Sequence, residues 1–345
     1  MSSLTNPSLA KSLRQYMQST FRIGHGTVSP RSLYGIQVPE LKVALNEAYH
    51  YKIGAYEFDP DVVFPEVLTL SNQLSTILQQ LTPAQETKFE NHILHCLATH
   101  LALCTAIFLG KAVEGPEEIE ETKEEFQLPY HKLLGDISPA LRSYREIAQH
   151  ARAASYIIVQ LCIHDQDLSE EIILQAHRIL TYKVDAETTP WEEYSGVYRT
   201  DEVSAGLRPF PHHSIVPFKM KGMVRDLHSD VKEAIAKGTL DPVSIASKYT
   251  HVFVNIHPFI DGNGRMCRLI LNSMLLKLGS FLACIGGTEE ERIVYMEIAS
   301  NGGALEDLYG DLDEDEKPVM YKELGSLVLE YVKESMQNLV TTVLS

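Results

Sequence analysis

The stretch from Asp241 to Gly279, DPVSIASKYTHVFVNIHPFIDGNGRMCRLILNSMLLKLG, decides how this chain is read. Asp241 followed by Pro242 is a strong helix start, with the carboxylate as N-cap and Pro at the first helical position. Ile245, Ala246, Tyr249, Phe253 and Ile256 recur at helical spacing, which predicts a helix running to His257 and stopped by Pro258. Gly262, Asn263 and Gly264 tolerate positive φ and predict a tight loop. Beyond it, residues 265–278 predict a second amphipathic helix, with Met266, Leu269, Ile270, Met274 and Leu275 on or near one face and Gly279 as C-cap.

Helix, glycine loop and helix together place backbone N–H groups and the positive end of a helix dipole at residues 262–265. That makes an anion site without a basic surface. Arg265 and Arg268, three residues apart, lean over the same pocket and suit a polyphosphate. Asp261 supplies a hard carboxylate of the kind that holds magnesium together with phosphate oxygens. His257 closes the other side of the loop, where a neutral imidazole can take a proton from an attacking hydroxyl. Gly262-x-Gly264 is no dinucleotide fingerprint, because a helix precedes it and Cys267 occupies the third glycine position; no P-loop pattern occurs anywhere.

Working outward, 345 residues with 44% hydrophobic and 22% charged content describe a folded chain with a sizeable core. Thirty Lys and Arg against 46 Asp and Glu give a net charge of -16, which excludes a general nucleic-acid binder. The longest apolar stretch, residues 94–109, is interrupted by His95, Thr99, His100 and Thr105 and is shorter than the about 20 residues that span a bilayer. The N-terminus lacks the apolar core of a secretory signal. The five cysteines, Cys96, Cys104, Cys162, Cys267 and Cys284, show no C-x-x-C spacing, so reduced thiols in a cytoplasmic or nuclear protein are expected.

Further helices are expected over residues 65–81, 85–109, 139–162 and 169–180, the last started by Ser169, with a short one at 40–51 inside a Gly- and Pro-punctuated N-terminal portion. The count predicts an all-helical bundle. Residues 194–218, YSGVYRTDEVSAGLRPFPHHSIVPF, break the pattern and predict a short hairpin or extended loop used for binding. His212 and His213 within it either touch substrate or belong to a surface loop. His92, His95, Cys96 and His100 have metal-friendly spacing, but no zinc-protease carboxylate accompanies them and they read as core residues. The acidic run from Asp307 to Glu316 reads as a solvated loop.

The segment HPFIDGNGRMCR, His257 to Arg268, resembles the signature of the Fic (filamentation induced by cAMP) family, H-x-F-x-[DE]-G-N-G-R-x-x-R, at every specified position. The similarity covers roughly residues 94–329. Gly196-Val197-Tyr198-Arg199 looks like the approach to the family's flap, and Tyr295-Met296-Glu297-Ile298 like its nucleoside-side helix. The resemblance implies an all-α fold, a Fic-type helical bundle with a short β-hairpin flap. It implies an N-terminal, mainly helical extension (1–90), a Fic domain including an inhibitory helix (91–330) and a C-terminal helix end (331–345).

The activity implied is that of a protein adenylyltransferase, moving AMP from ATP to a Ser, Thr or Tyr hydroxyl of a target protein (AMPylation). By the same resemblance His257 is the general base and Asp261 the ligand of Mg2+ (or Mn2+). Gly262, Asn263 and Gly264 form the phosphate cradle, Arg265 and Arg268 clamp phosphates, Tyr295 binds nucleotide and Phe259 anchors the loop. Residues 203–217 would hold a target segment by strand addition. The expected partner is therefore a protein substrate, with a homodimer left open and neither nucleic acid nor membrane involved. Gly110-Lys111-Ala112-Val113-Glu114-Gly115 resembles the family's inhibitory motif [ST]-x-x-x-E-[GN], with Gly110 in place of the hydroxyl residue, and makes Glu114 the inhibitor that pairs with Arg268. Removal of AMP, transfer of another nucleotide or of phosphate, and a non-catalytic nucleotide-binding scaffold are the alternatives. The intact His257 argues against the scaffold.

Overall fold

The computed structural model describes residues 8–20, 27–28, 41–99, 123–124, 142–205, 208–285, 288–309, 312 and 317–345. Its helices are α1 (Leu9–Thr20), α2 (Pro60–Gln79), α3 (Pro83–Cys96), α4 (Arg142–Ile158), α5 (Glu170–Leu180), α6 (Val216–Lys237), α7 (Pro242–Ile256), α8 (Asn263–Gly279), α9 (Glu289–Tyr309) and α10 (Lys322–Leu344). Around them lie short strands: β1 (Thr27–Val28), β2 (Leu41–Val43), β3 (Lys52–Ile53), β4 (Tyr56–Glu57), β5 (Ser204–Ala205), β6 (Arg208–Pro209) and β7 (Thr239–Leu240). The all-α reading holds, and β5–β6 is the expected hairpin.

The helices end where local chemistry dictates. Asp241 caps α7, accepting from the amides of Val243 and Ser244. Ser169 caps α5, and Thr82 opens α3 with a reciprocal capping box to Gln85. α2 begins at Pro60 behind the N-cap Asp59, so Pro65, expected near its start, lies inside it. A π-turn, Val159–Ile163, extends α4.

Helix α8 is the centre of the molecule. Every residue of it except Gly264 is buried, so it is not the amphipathic helix its spacing predicts. Its polar side chains find partners inside: Lys277 meets Asp165 at 2.5 Å, and Asn272 exchanges two hydrogen bonds with the backbone of Ala283. Gly279 is not the cap either. Ser280 takes the left-handed φ of 54°, while a Cβ on Gly279 would come within 2.7 Å of the Phe281 ring, so the glycine serves close packing.

The helix expected at residues 40–51 is instead β2, antiparallel to β1 and parallel to β7. Leu41 and Val43 face the core and Lys42 faces solvent, a period of two. The Lys42 amide donates to Gly238 and that of Ala44 to Leu240, so a partner far away in sequence overrides the local helical pattern. Side chains of α1, α2, α3 and α10 join those of α7 and α8 in one core, and α10 runs unbroken across residue 330. Among the described residues no helix is long and apolar enough to cross a membrane.

Asp241 ties this N-terminal layer to α7, because it also accepts from the Asn46 amide and the Tyr49 hydroxyl. Burial pushes its carboxyl up to about 6, against the pull of these donors. Replacing it removes a cap and strands the buried Tyr49 hydroxyl and the part-buried Asn46 amide. Asp241→Ala is expected to cost about 2 kcal/mol or more in urea unfolding; a loss below about 0.5 kcal/mol would contradict this role.

Candidate active site

The loop between α7 and α8 is laced shut by one side chain. Asn263, 3% exposed, turns back so that its Oδ1 accepts from the Phe259 amide at 3.0 Å and its Nδ2 donates to the Phe259 carbonyl at 2.8 Å. Asn263 therefore contributes only backbone to any cradle. Phe259 drops fully into the core and stacks on His177, centroids 3.6 Å apart. Gly262 sits at φ 83°, where a Cβ would lie 3.3 Å from Leu180 and 3.4 Å from His177, so both conformation and space call for glycine. Among the described residues no side chain caps α8 and nothing lies within 4 Å of where a Gly264 Cβ would be, and Gly264 is exposed. The first amides of α8 thus remain available to an anion.

Two buried guanidinium groups follow. Arg265 donates from Nη2 to Asp261 at 2.9 Å, while its buried Nη1 has no hydrogen-bond partner among the described residues. A buried cationic donor left over in this way calls for an anionic ligand. Arg268 is 4% exposed. The Asp261 carboxylate accepts from the Gly262 amide at 2.6 Å and keeps 40% of its surface open. One accessible hard carboxylate beside buried guanidinium groups fits magnesium carried in on a polyphosphate, with phosphate oxygens and water completing the shell. His150, fully buried on α4, lies near both arginines; burial and then the charges of Arg268 and Arg265 hold its imidazole well below the usual range, so it stays neutral.

His257 sits in the left-handed region, φ 49°, at the end of α7. Its Nδ1 lies 3.3 Å from the Val254 carbonyl, which makes Nδ1 the donor and leaves Nε2 to accept a proton. Burial lowers its pKa to about 4, with Arg199 and Arg208 adding to the effect. Phe210 of the flap stacks on the ring at 3.9 Å.

Several supports carry no sequence motif. His177 takes the Gly196 amide on Nδ1 and donates from Nε2 to the Asp261 carbonyl, both at 3.0 Å; burial holds it neutral, with a pKa of about 3. Arg199, 3% exposed, donates to the His257 carbonyl at 2.8 Å, to that of Asp201 at 2.9 Å and to that of Pro211, fastening the flap to the loop. Only its place in the Gly196–Arg199 string hinted at it. Tyr295 is buried in α9 near Cys267 and Arg268, and burial raises its hydroxyl above the usual range. Gly110, Glu114 and His100 lie outside the described residues, as do most of the acidic run at 307–316. His95 is exposed rather than core, and His92 is half-buried beside Thr342.

Known proteins resemble this chain in sequence and in fold. The model of the Fic/DOC family matches residues 167–275. A Fido domain-containing protein of Dictyostelium discoideum is 36% identical over 105 residues, which are 30% of this chain and 71% of that protein. The protein adenylyltransferase Fic of Drosophila yakuba is 32% identical over 140 residues, 41% of this chain but only 26% of that longer protein. In fold, a Fic domain containing signaling protein from Bacteroides thetaiotaomicron superposes with a TM-score of 0.59 at 19% identity, over 81% of this chain and 96% of that one. Fic-1 of C. elegans gives 0.55 at 17% identity, over 82% and 73%. The intact signature, the helical fold and these relatives together make this chain a member of the Fic/DOC family.

Proposed function

We propose that the chain is a protein adenylyltransferase that moves AMP from ATP to a hydroxyl of a target protein held along the flap. The observation that carries the reading is the pairing, on one loop and the helix it opens, of a neutral His257 with a buried Arg265 Nη1 that lacks a partner among the described residues. The target hydroxyl gives its proton to His257 Nε2 as its oxygen bonds to the α-phosphorus. The bond from that phosphorus to the bridging oxygen breaks, and pyrophosphate leaves with the electron pair. Arg265, Arg268 and the open amides of α8 meet the charge that gathers on the leaving group. Asp261 would hold Mg2+ or Mn2+, which when bound supplies further neutralisation of the triphosphate. Tyr295 is assigned to the nucleoside side. The flap edge, Ser204–Ala205, offers backbone to an extended target segment. Unbridged Cys96, Cys162, Cys267 and Cys284 support a cytoplasmic or nuclear setting.

His257→Ala is expected to lower transfer by about 10²- to 10⁴-fold while ATP affinity persists, because the base acts on the incoming hydroxyl. Equal loss of both would make His257 structural. Since burial depresses its pKa to about 4, the His257 ring should remain neutral down to about pH 5. Imidazole ¹⁵N shifts, assigned against His257→Ala, check this directly; a midpoint near 6.5 would contradict the buried, base-competent ring.

Glu114 is assigned as an inhibitor that occupies Arg268. A closed state favoured by about 3 kcal/mol leaves under about one per cent of molecules competent. Glu114→Gly should then raise automodification on the order of a hundredfold. Gly110 lacks the hydroxyl that would brace this segment, so the parent chain should show basal activity, lowered by Gly110→Ser. No gain in the Glu114 variant at equal ATP binding would remove Glu114 from this role.

A further inference from the structure

Away from the signature loop, three metal-ligating side chains converge at the base of the flap. Glu202 precedes β5, and His212 and His213 follow β6. The Glu202 Oε1 lies 3.3 Å from His212 Nε2 and 4.0 Å from His213 Nε2. One ligand atom from each of the three lies within 4.8 Å of the others. Zinc ligands at about 2.0–2.1 Å stand about 3.3–3.4 Å apart on a tetrahedron, so one pair is already at ligand spacing and the rest close by side-chain rotation of under about 1.5 Å. Two imidazoles and a carboxylate suit zinc and its first-row neighbours better than magnesium, which prefers an all-oxygen shell.

An exposed ion pair is ordinarily worth about 0–1 kcal/mol and needs no further purpose. Two features set this cluster apart. Its backbone is organised from below, because the buried Arg199 guanidinium donates to the carbonyls of both Asp201 and Pro211, the residues immediately before Glu202 and His212. The second concerns orientation. His212 Nδ1 lies 2.8 Å from the Ser214 hydroxyl and 3.2 Å from its amide. Here Nδ1 accepts from the amide, so Nε2–H points at Glu202; an ion on Nε2 takes the tautomer protonated at Nδ1, whose N–H the Ser214 hydroxyl can accept once ring and amide shift apart. His212 and Glu202 are 61% and 56% exposed, which leaves the fourth position to water.

We propose that Glu202, His212 and His213 form a binding site for a divalent transition-metal ion of the zinc class, which clips the two arms of the flap together. Between the clip's ends Phe210 donates its amide to Val203 at 3.1 Å and stacks on His257. An occupied clip therefore fixes that ring over the base and stiffens the edge offered by β5. The proposal does not depend on which group the chain transfers.

The test titrates the full chain, free of any histidine tag, with ZnCl2 in excess Mg2+ by calorimetry, and with Co2+ by visible absorption. One ion per chain is expected. Glu202→Gln, His212→Ala and His213→Ala should each weaken it at least about tenfold, with the tetrahedral Co2+ bands lost and circular dichroism unchanged. Asp261→Ala should leave the affinity as in the parent, and amide exchange over residues 203–211 should slow when Zn2+ is bound. Equal affinity in the three flap variants overturns the site, as does a loss confined to Asp261→Ala. Zn2+ binding with no change in flap exchange overturns the clip.

Discussion

Two hydrogen bonds from one amide side chain hold the reactive part of this molecule in shape. Asn263 satisfies both the N–H and the C=O of Phe259, which replaces the regular backbone pairing that Pro258 and the turn itself interrupt. Only with that stitch in place can Phe259 enter the core, Gly262 take its left-handed turn and α8 begin with its first amides unspent. His257 and Arg265 depend on it equally, since they stand at the two ends of the stitched segment. A side chain of similar size without a paired donor and acceptor would leave two buried backbone groups unsatisfied, at about 1–3 kcal/mol each.

The electrostatics follow from burial rather than from net charge. A chain of charge -16 would repel a polyphosphate at long range, yet the site buries Arg265 and Arg268 where solvent screens them least. Asp261 takes one nitrogen of Arg265, and His150 stays neutral beneath both, adding no further cation. Arg265 stands in the first turn of α8, where the positive end of the helix dipole adds to its charge.

Much of the site was legible because it is local. Asp241 with Pro242, Pro258, and Gly262-Asn263-Gly264 each act on their own stretch of backbone, and the residues from His257 to Arg268 lie within one loop and the first two helical turns after it. What sequence reading missed acts across distance. Leu41–Val43 reads as helical until the backbone of Gly238 and Leu240 offers it a ladder. His150 and His177 sit at ordinary positions on α4 and α5, and nothing in their own segments says that a loop from elsewhere will land on them. Gly279 has the composition of a cap but is required by the ring of Phe281. The burial of α8 on all sides was hidden for the same reason: its polar residues look solvent-facing until Asp165 and Ala283 are brought against them.

The flap shows how such distant contacts couple one part of the site to another. Arg199 donates to the carbonyl of His257 on one side and to those of Asp201 and Pro211 on the other, and its own amide bonds to Pro258. Because the guanidinium is rigid and planar, these bonds cannot be redistributed without losing one of them. A shift of the hairpin base is therefore felt at His257. Phe210 closes the circuit from above by stacking on that same imidazole. Because part of that burial comes from Phe210, the proton affinity of His257 depends on flap position: were the flap lifted, water would return to the ring and its pKa would rise toward the ordinary histidine value. The element proposed to receive a target segment would thereby also set the state of the group proposed to deprotonate it.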